Sequence, residues 1–176
     1  MSQVSIADLE AKIRDVPDFP KPGIVFKDIM PLLADPATLR GTIEELAAWA
    51  EPRKPDVVLG AEARGFITGG ALACRLDCGF VAARKPGKLP WRTVSVKYAL
   101  EYGLDALELH ADAIVAGQRV LIHDDVLATG GTAKAKIDLV EQLGGVVAGV
   151  LFVIQLDFLN GTEQLEGYDV HALIHY

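Results

Sequence analysis

The stretch Val120-Leu121-Ile122-His123-Asp124-Asp125-Val126-Leu127-Ala128-Thr129-Gly130-Gly131-Thr132 runs from aliphatic residues through two adjacent carboxylates into a small loop. An aliphatic run bounded by a turn signal reads as a buried strand. A helix is predicted to open at Ala133. Between them, Thr129-Gly130-Gly131-Thr132 has what an anion site needs. Glycines let the backbone curl so that successive N–H groups point inward, two hydroxyls add donors, and the helix contributes its positive N-terminal end. The loop is a cradle for a phosphate monoester. Asp124 and Asp125 are expected at its lip, free to accept hydrogen bonds from sugar hydroxyls. An ordinary capped strand-to-helix turn would not place two repelling acids at the end of a buried strand. The spacing matches neither G-x-x-x-x-G-K-[ST] nor G-x-G-x-x-G.

Outward from this point the chain alternates strands and helices. Strands are predicted over 57–60, 80–83, 119–123, 146–154 and 171–175, and helices over 5–15, 38–50, 65–76 and 133–143. Ile6, Leu9 and Ile13 form the stripe of the first helix, with Ser5 as its cap. Residues 94–100 and 106–109 read as two arms of a ribbon around Tyr102-Gly103. The three prolines of 17–23 demand an ordered loop. This alternation implies an α/β fold: right-handed crossovers and a central parallel sheet flanked by helices, with ligands beyond the C-terminal strand ends.

The 176 residues are expected to form a single domain over 1–176, since no repeat, low-complexity tract or linker interrupts them. The net charge of −7 argues against nonspecific binding to nucleic acid. No apolar h-region opens the chain and no long apolar span suggests a membrane helix, so a cytoplasmic protein is expected. Cys74 and Cys78, four apart in a helical setting, read as buried reduced thiols rather than a redox or zinc pair. His171 and His175 read as strand residues rather than a metal pair, and His123 as a satisfied core or interface histidine.

The run Asp124-Asp125-Val126-Leu127-Ala128-Thr129-Gly130-Gly131-Thr132 resembles the signature of the type I phosphoribosyltransferases, which bind phosphoribosyl pyrophosphate. Three further segments resemble the adenine branch of that family: Pro17-Asp18-Phe19-Pro20-Lys21-Pro22-Gly23-Ile24-Val25-Phe26-Lys27-Asp28-Ile29, then Gly60-Ala61-Glu62-Ala63-Arg64-Gly65-Phe66, then Arg84-Lys85-Pro86-Gly87-Lys88-Leu89-Pro90 running into Leu100-Glu101-Tyr102-Gly103. Beyond about residue 143 the likeness is one of topology rather than motif. The resemblance implies a type I phosphoribosyltransferase-like fold with a small N-terminal base-binding hood and a flexible lid. It implies transfer of a phosphoribosyl group to N9 of adenine, giving AMP and pyrophosphate in purine salvage, and a homodimer.

Residue roles follow from the same resemblance. Asp124 and Asp125 would hold the ribose hydroxyls, while Ala128, Thr129, Gly130, Gly131 and Thr132 would hold the 5-phosphate. Glu62, Ala63 and Arg64 would form the pyrophosphate loop, with a cis peptide between the first two. Arg offers a pyrophosphate two parallel donors, with a surface helix cap as the lesser alternative for Arg64. Arg84, Lys85 and Lys88 place three cations in five residues of an acidic chain. That cluster argues for an anion, and Arg84 and Lys88 join the pyrophosphate set. Residues 86–105 resemble the lid, whose closure would exclude water. Glu101 at its tip would stabilise charge developing at adenine N7, with a solvated hairpin acid as the alternative. Arg64, Lys88 and Glu101 are thus the candidate catalytic groups.

Val25, Phe26 and Lys27 are expected to meet adenine through backbone groups of a proline-stiffened loop, with Phe26 against the ring face or in the core. Fixed donors and acceptors can discriminate adenine from 6-oxopurines. Mg²⁺ is expected on the substrate's own oxygens, with no direct protein metal site. A transferase for another purine and a non-catalytic phosphoribosyl pyrophosphate sensor are the rival readings. The first lacks a 6-oxo-reading side chain near 24–28, and the second usually carries a basic DNA-binding bundle.

Overall fold

The computed structural model describes residues 4–100 and 103–176, the backbone alone being described at 99, 100, 103 and 104. The chain divides into two compact units, Met1–Glu45 and Leu46–Tyr176.

In the N-terminal unit, helix α1 (Ile6–Glu10) begins at a capping box: Ser5 Oγ accepts from Asp8 N–H at 3.2 Å, and the Asp8 carboxylate accepts from Ser5 N–H at 2.9 Å. The helix is shorter than the predicted 5–15. Strand β1 (Arg14–Pro17) instead pairs antiparallel with β2 (Val25–Asp28), Val16 opposite Phe26. Two ion pairs cross the hairpin, Arg14 with Asp28 at 2.6 Å and Lys27 with Asp15 at 2.7 Å. A long-range pairing therefore outcompetes the local helical stripe. Helix α2 (Met30–Ala34) carries Pro31 in its first turn, where the missing N–H costs nothing. Helix α3 (Pro36–Ala50) begins in this unit.

The second unit contains β3 (Val57–Ala61), α4 (Arg64–Arg75), β4 (Gly79–Ala83), β5 (Thr93–Leu100), β6 (Gly103–His110), β7 (Arg119–Leu127), α5 (Gly131–Gln142), β8 (Val146–Gln155) and β9 (Val170–His175). Five strands form one parallel sheet in the order β4-β3-β7-β8-β9. From β3 the chain builds toward β4, whereas from β7 it builds the opposite way, toward β8 and β9. The order reverses between β3 and β7, and their C-terminal ends open a crevice there. Leu59, Ile122, Val150 and Phe152 of the sheet are buried with Ile137 and Val140 of α5. Each such side chain contributes about 1.5–3 kcal/mol by leaving water.

β5 and β6 form the predicted antiparallel ribbon, Thr93 opposite His110 and Leu100 opposite Gly103. Its root is no free-standing flap. Val94, Val96 and Tyr98 pack against the core on one face, and Leu107 and Leu109 are buried. Cys74 is exposed on α4, contrary to the buried thiol expected, because the apolar face of this helix runs through Thr68, Leu72 and Ala73. Cys78 is half-buried, and burial pushes its thiol up.

Candidate active site

The crevice is built from the two connections that leave β3 and β7. After β7, Ala128 and Thr129 lead to Gly130, which holds φ +88° and starts α5 at Gly131. Thr129, Gly130, Gly131 and Thr132 line a small recess of about 70 Å³ together with Asp124, Val126, Ala128 and Phe152. The loop is thus brought together as predicted, at the N-terminus of a helix of 12 residues. Such a terminus presents unpaired N–H groups and a partial positive charge to an anion. Thr132 Oγ1 lies 3.5 Å from the Tyr98 hydroxyl, linking the loop to the ribbon.

The two acids depart from the expectation. They do not sit beyond the strand but within it, since β7 continues to Leu127. Successive strand residues point to opposite faces, so adjacent acids cannot share one lip. Asp124 lines the recess; Asp125 is 6% exposed and pairs with the Arg64 guanidinium. Burial, with Asp124 nearby, pushes the Asp125 carboxyl up to about 6 against the opposing pull of Arg64. Strand alternation also explains His123, which is fully buried between helix α4 and β8. Its Nδ1 lies 2.9 Å from the Leu151 carbonyl and its Nε2 2.7 Å from Thr68 Oγ1. A carbonyl only accepts, so Nδ1–H donates and Nε2 accepts from the threonine. The ring is neutral, and burial drives its pKa down to about 4.

After β3, the Glu62–Ala63 peptide is cis, and Ala63 caps α4. Glu62 accepts from the Lys85 N–H at 2.5 Å and from Arg84 Nη2 at 3.0 Å. The Lys85 N–H first, then Arg84, hold the Glu62 carboxyl below its usual range despite partial burial. Arg84 Nη1 also donates to the Lys88 carbonyl at 3.0 Å, so Glu62, Arg84 and Lys88 form one cluster at the ends of β3 and β4. Lys85 reaches Asp105 of the ribbon at 3.4 Å, and the Gly87 N–H donates to Glu108 at 3.1 Å. The expected anion-binding cations Arg64 and Arg84 are therefore paired with site acids.

A pattern for the phosphoribosyl transferase domain matches residues 33–170. The adenine phosphoribosyltransferase of Caldanaerobacter subterraneus subsp. tengcongensis is 54% identical over 173 residues, covering 98% of this chain and 100% of that one. The chain belongs to the adenine phosphoribosyltransferase family. The crystal structure of the Thermoanaerobacter pseudethanolicus adenine phosphoribosyltransferase superposes with a TM-score of 0.96 at 52% identity, covering 98% of this chain and 100% of the other. The Saccharomyces cerevisiae adenine phosphoribosyltransferase, complexed with an imino-altritol bisphosphate and adenine, gives 0.92 at 39% identity over 96% and 97% of the two chains. The type I phosphoribosyltransferase fold expected from the motifs is the fold observed.

Val25, Phe26 and Lys27 belong to β2, a strand of the N-terminal unit rather than a loop. Phe26 meets Phe19 edge-on at 5.2 Å, and the Phe19–Pro20 bond is cis. Glu101 lies outside the described residues. His171 stacks on Trp49 at 5.4 Å, whereas His175 binds Asp157 at 3.0 Å.

Sequence reasoning missed Lys136. Its side chain is fully buried, with Nζ 2.8 Å from Asp124 Oδ2 and 3.1 Å from the His123 carbonyl. A lysine in an amphipathic helix ordinarily reads as surface, and only its spacing four beyond Thr132 could have hinted at an inward position. Gly65 is predicted only to open a small-residue helix, yet its missing side chain serves Asp124. A Cβ there would lie 2.6 Å from Asp124 Oδ1.

Proposed function

We propose that this chain catalyses Mg²⁺-dependent transfer of the 5-phosphoribosyl group from phosphoribosyl pyrophosphate to N9 of adenine, releasing pyrophosphate and forming AMP for purine salvage. The observation that carries the reading is the recess between the end of β7 and the start of α5, where one carboxylate and a glycine-rich helix start line the same small volume. The names and ligands of the related enzymes support adenine as the base.

Ala128, Thr129, Gly130, Gly131 and Thr132 receive the 5-phosphate through N–H and hydroxyl donors. Asp124 accepts from the ribose hydroxyls, and Asp125 backs it from within the strand. Arg64, Arg84 and Lys88, with the Glu62–Ala63 backbone, take the pyrophosphate. Val25, Phe26 and Lys27 meet the base, and Glu101 balances charge at N7. The C1–O bond to pyrophosphate breaks through an oxocarbenium-like state, N9 bonds to C1, and the N9 proton leaves the ring.

Mg²⁺ prefers one or two carboxylates plus phosphate oxygens and water. The donor chemistry fits that habit, since Asp124 would offer one carboxylate beside the recess that receives the phosphate. When bound, Mg²⁺ would offset charge on the departing pyrophosphate. We further propose one catalytic domain over 1–176, a cytoplasmic setting and a homodimer. Among the described residues no helix is long and apolar enough to cross a membrane.

The test is pyrophosphate release with phosphoribosyl pyrophosphate and Mg²⁺, comparing adenine, hypoxanthine, guanine and uracil. Release with adenine alone, lost in Asp124→Ala/Asp125→Ala and weakened in Glu101→Ala, is the expected result. Release with hypoxanthine or guanine would overturn the base assignment, and silence with every base would overturn catalysis.

A further inference from the structure

Lys136 is among the largest fully buried side chains of the described residues, and it carries a charge. An ammonium group inside a protein is costly unless it is both paired and hydrogen-bonded. Its helix neighbours Ala133, Ala135, Ile137 and Val140 are apolar and buried, so an apolar residue would pack there without that cost. The lysine is spent on one partner above all. Nζ lies 2.8 Å from Asp124 Oδ2, while Asp124 Oδ1 accepts the Asp125 N–H at 3.0 Å. Gly65 leaves the space this second oxygen occupies. Both oxygens of the recess-lining carboxylate are therefore fixed, and neither rotates freely.

Lys136 also rides on α5, whose first residues are Gly131 and Thr132 of the phosphate loop. One rigid helix thus carries the anion-binding N–H groups at its start and, one turn later, the cation that fixes the acid across the recess.

We propose that Lys136 is a positioning residue for the sugar: by clamping Asp124 it sets the distance and orientation between the ribose-binding carboxylate and the 5-phosphate loop. The inference rests on the phosphoribosyl reading of the recess. It assigns to Lys136 no contact with substrate.

Lys136→Met keeps an unbranched chain of similar length and removes the charge. The expected result is a KM for phosphoribosyl pyrophosphate raised about tenfold or more, with the KM for adenine within about twofold of the parent. Lys136→Arg, which keeps the cation, is expected to recover most of the loss. In the Asp124→Asn background, Lys136→Met should add less than about twofold, because the lysine acts through that carboxylate. An unchanged KM in Lys136→Met, equal losses for both substrates, or full additivity with Asp124→Asn would overturn the proposal.

Should Lys136→Met fail to fold, the parent protein labelled with ¹⁵N-lysine decides. The Lys136 ammonium signal is expected to move on adding ribose 5-phosphate and to stay put on adding adenine; an unmoved signal at saturation overturns the proposal. A parent enzyme that binds ribose 5-phosphate yet releases no pyrophosphate would instead defeat the catalytic reading, leaving the clamp testable by the same titration.

Discussion

Gly161 lies outside every recognisable motif, yet the proposed phosphate loop rests on it. A Cβ added to Gly161 would overlap the Ala128 carbonyl oxygen and lie 3.0 Å from Gly130 N, both of them backbone atoms. Reciprocally, a Cβ on Gly130 would overlap the Gly161 carbonyl and come within 3.2 Å of Gln164 Cβ. The two backbones touch with no side chain between them. Neither wall can yield cheaply: Gly161 opens the turn Gly161–Leu165, whose Leu165 is buried, and Leu156 N–H holds the Leu127 carbonyl at 2.9 Å. Gly161→Ala therefore overpacks the site, at about 1–3 kcal/mol. At about 2–4 °C per kcal/mol for a chain of this size, a loss near 2 kcal/mol lowers Tm by about 4–8 °C. Whatever part of the strain shifts the loop appears as weaker phosphate binding, about tenfold for each 1.4 kcal/mol. Urea unfolding paired with calorimetric titration of AMP and ribose 5-phosphate measures both parts. A Gly161→Ala protein with unchanged midpoint and unchanged ribose 5-phosphate affinity would refute the backbone contact.

Gly65→Ala puts a methyl group 2.6 Å from Asp124 Oδ1; displacement of that carboxylate should raise the KM for phosphoribosyl pyrophosphate severalfold, and an unaltered KM would count against the assignment of Asp124. Thr68→Val removes the hydroxyl that donates to His123 Nε2. A buried acceptor without a partner costs about 1–3 kcal/mol, so urea denaturation showing less than about 0.3 kcal/mol would contradict the assigned tautomer. His123 and Asp125 oppose each other in acid. His123, lowered to about 4 when folded, costs stability as pH falls from about 6.5 to 4, because the unfolded chain takes up its proton first. Asp125, raised to about 6, has the opposite sign: the folded chain protonates first, so its contribution is complete below pH 3.8 and lost as pH rises through about 6. Asp125→Asn removes the second effect alone, and ΔG of unfolding should then fall more steeply on acidification from pH 6 to 4, by up to about 1.4 kcal/mol per pH unit relative to the parent. Parallel curves for the two proteins would contradict the raised Asp125 carboxyl.

The turn from β7 into α5 was legible because its conformation is set locally. Glycine at φ +88°, hydroxyls and a helix start need no distant partner to be understood. The parallel sheet was legible for a similar reason, since buried strands are nearly continuous aliphatic runs. What escaped depends on pairing across long sequence distances. Asp124 and Asp125 are poor strand formers by composition, and they stay in β7 because β3 and β8 flank that strand and helices supply their counter-charges. The first helix was overextended because Ile13 continues its stripe, whereas Asp28 and Lys27 draw Arg14 and Asp15 into a hairpin. Lys136 reads as a solvated helix charge until Asp124 is seen 2.8 Å away. Gly161 carries no signal of its own, because its role is to be absent beside the Ala128 carbonyl.

Three acids and three cations of the crevice are paired with one another, and their burial separates them by what a polyanion could do to each. Glu62 with Arg84 is partly solvated, and such pairs are worth about 0–1 kcal/mol. A pyrophosphate can take over that arginine at little cost. Lys136 is fully buried with Asp124 and cannot follow an anion out of the core. Arg64 is the intermediate case, since its own side chain is 38% exposed while that of its partner Asp125 is 9% exposed. Drawing Arg64 toward a pyrophosphate would strand a buried carboxylate, which neutralises by binding a proton rather than remaining charged. Asp125 is already raised to about 6 with the guanidinium beside it, and losing that cation moves it further up, toward neutral pH. Binding of pyrophosphate at pH 7 should therefore take up a fraction of a proton. Calorimetric titration in buffers of different ionisation enthalpy measures that fraction directly. It should vanish in Asp125→Asn, and the same uptake in both proteins would assign the proton to the ligand and leave Arg64 on Asp125.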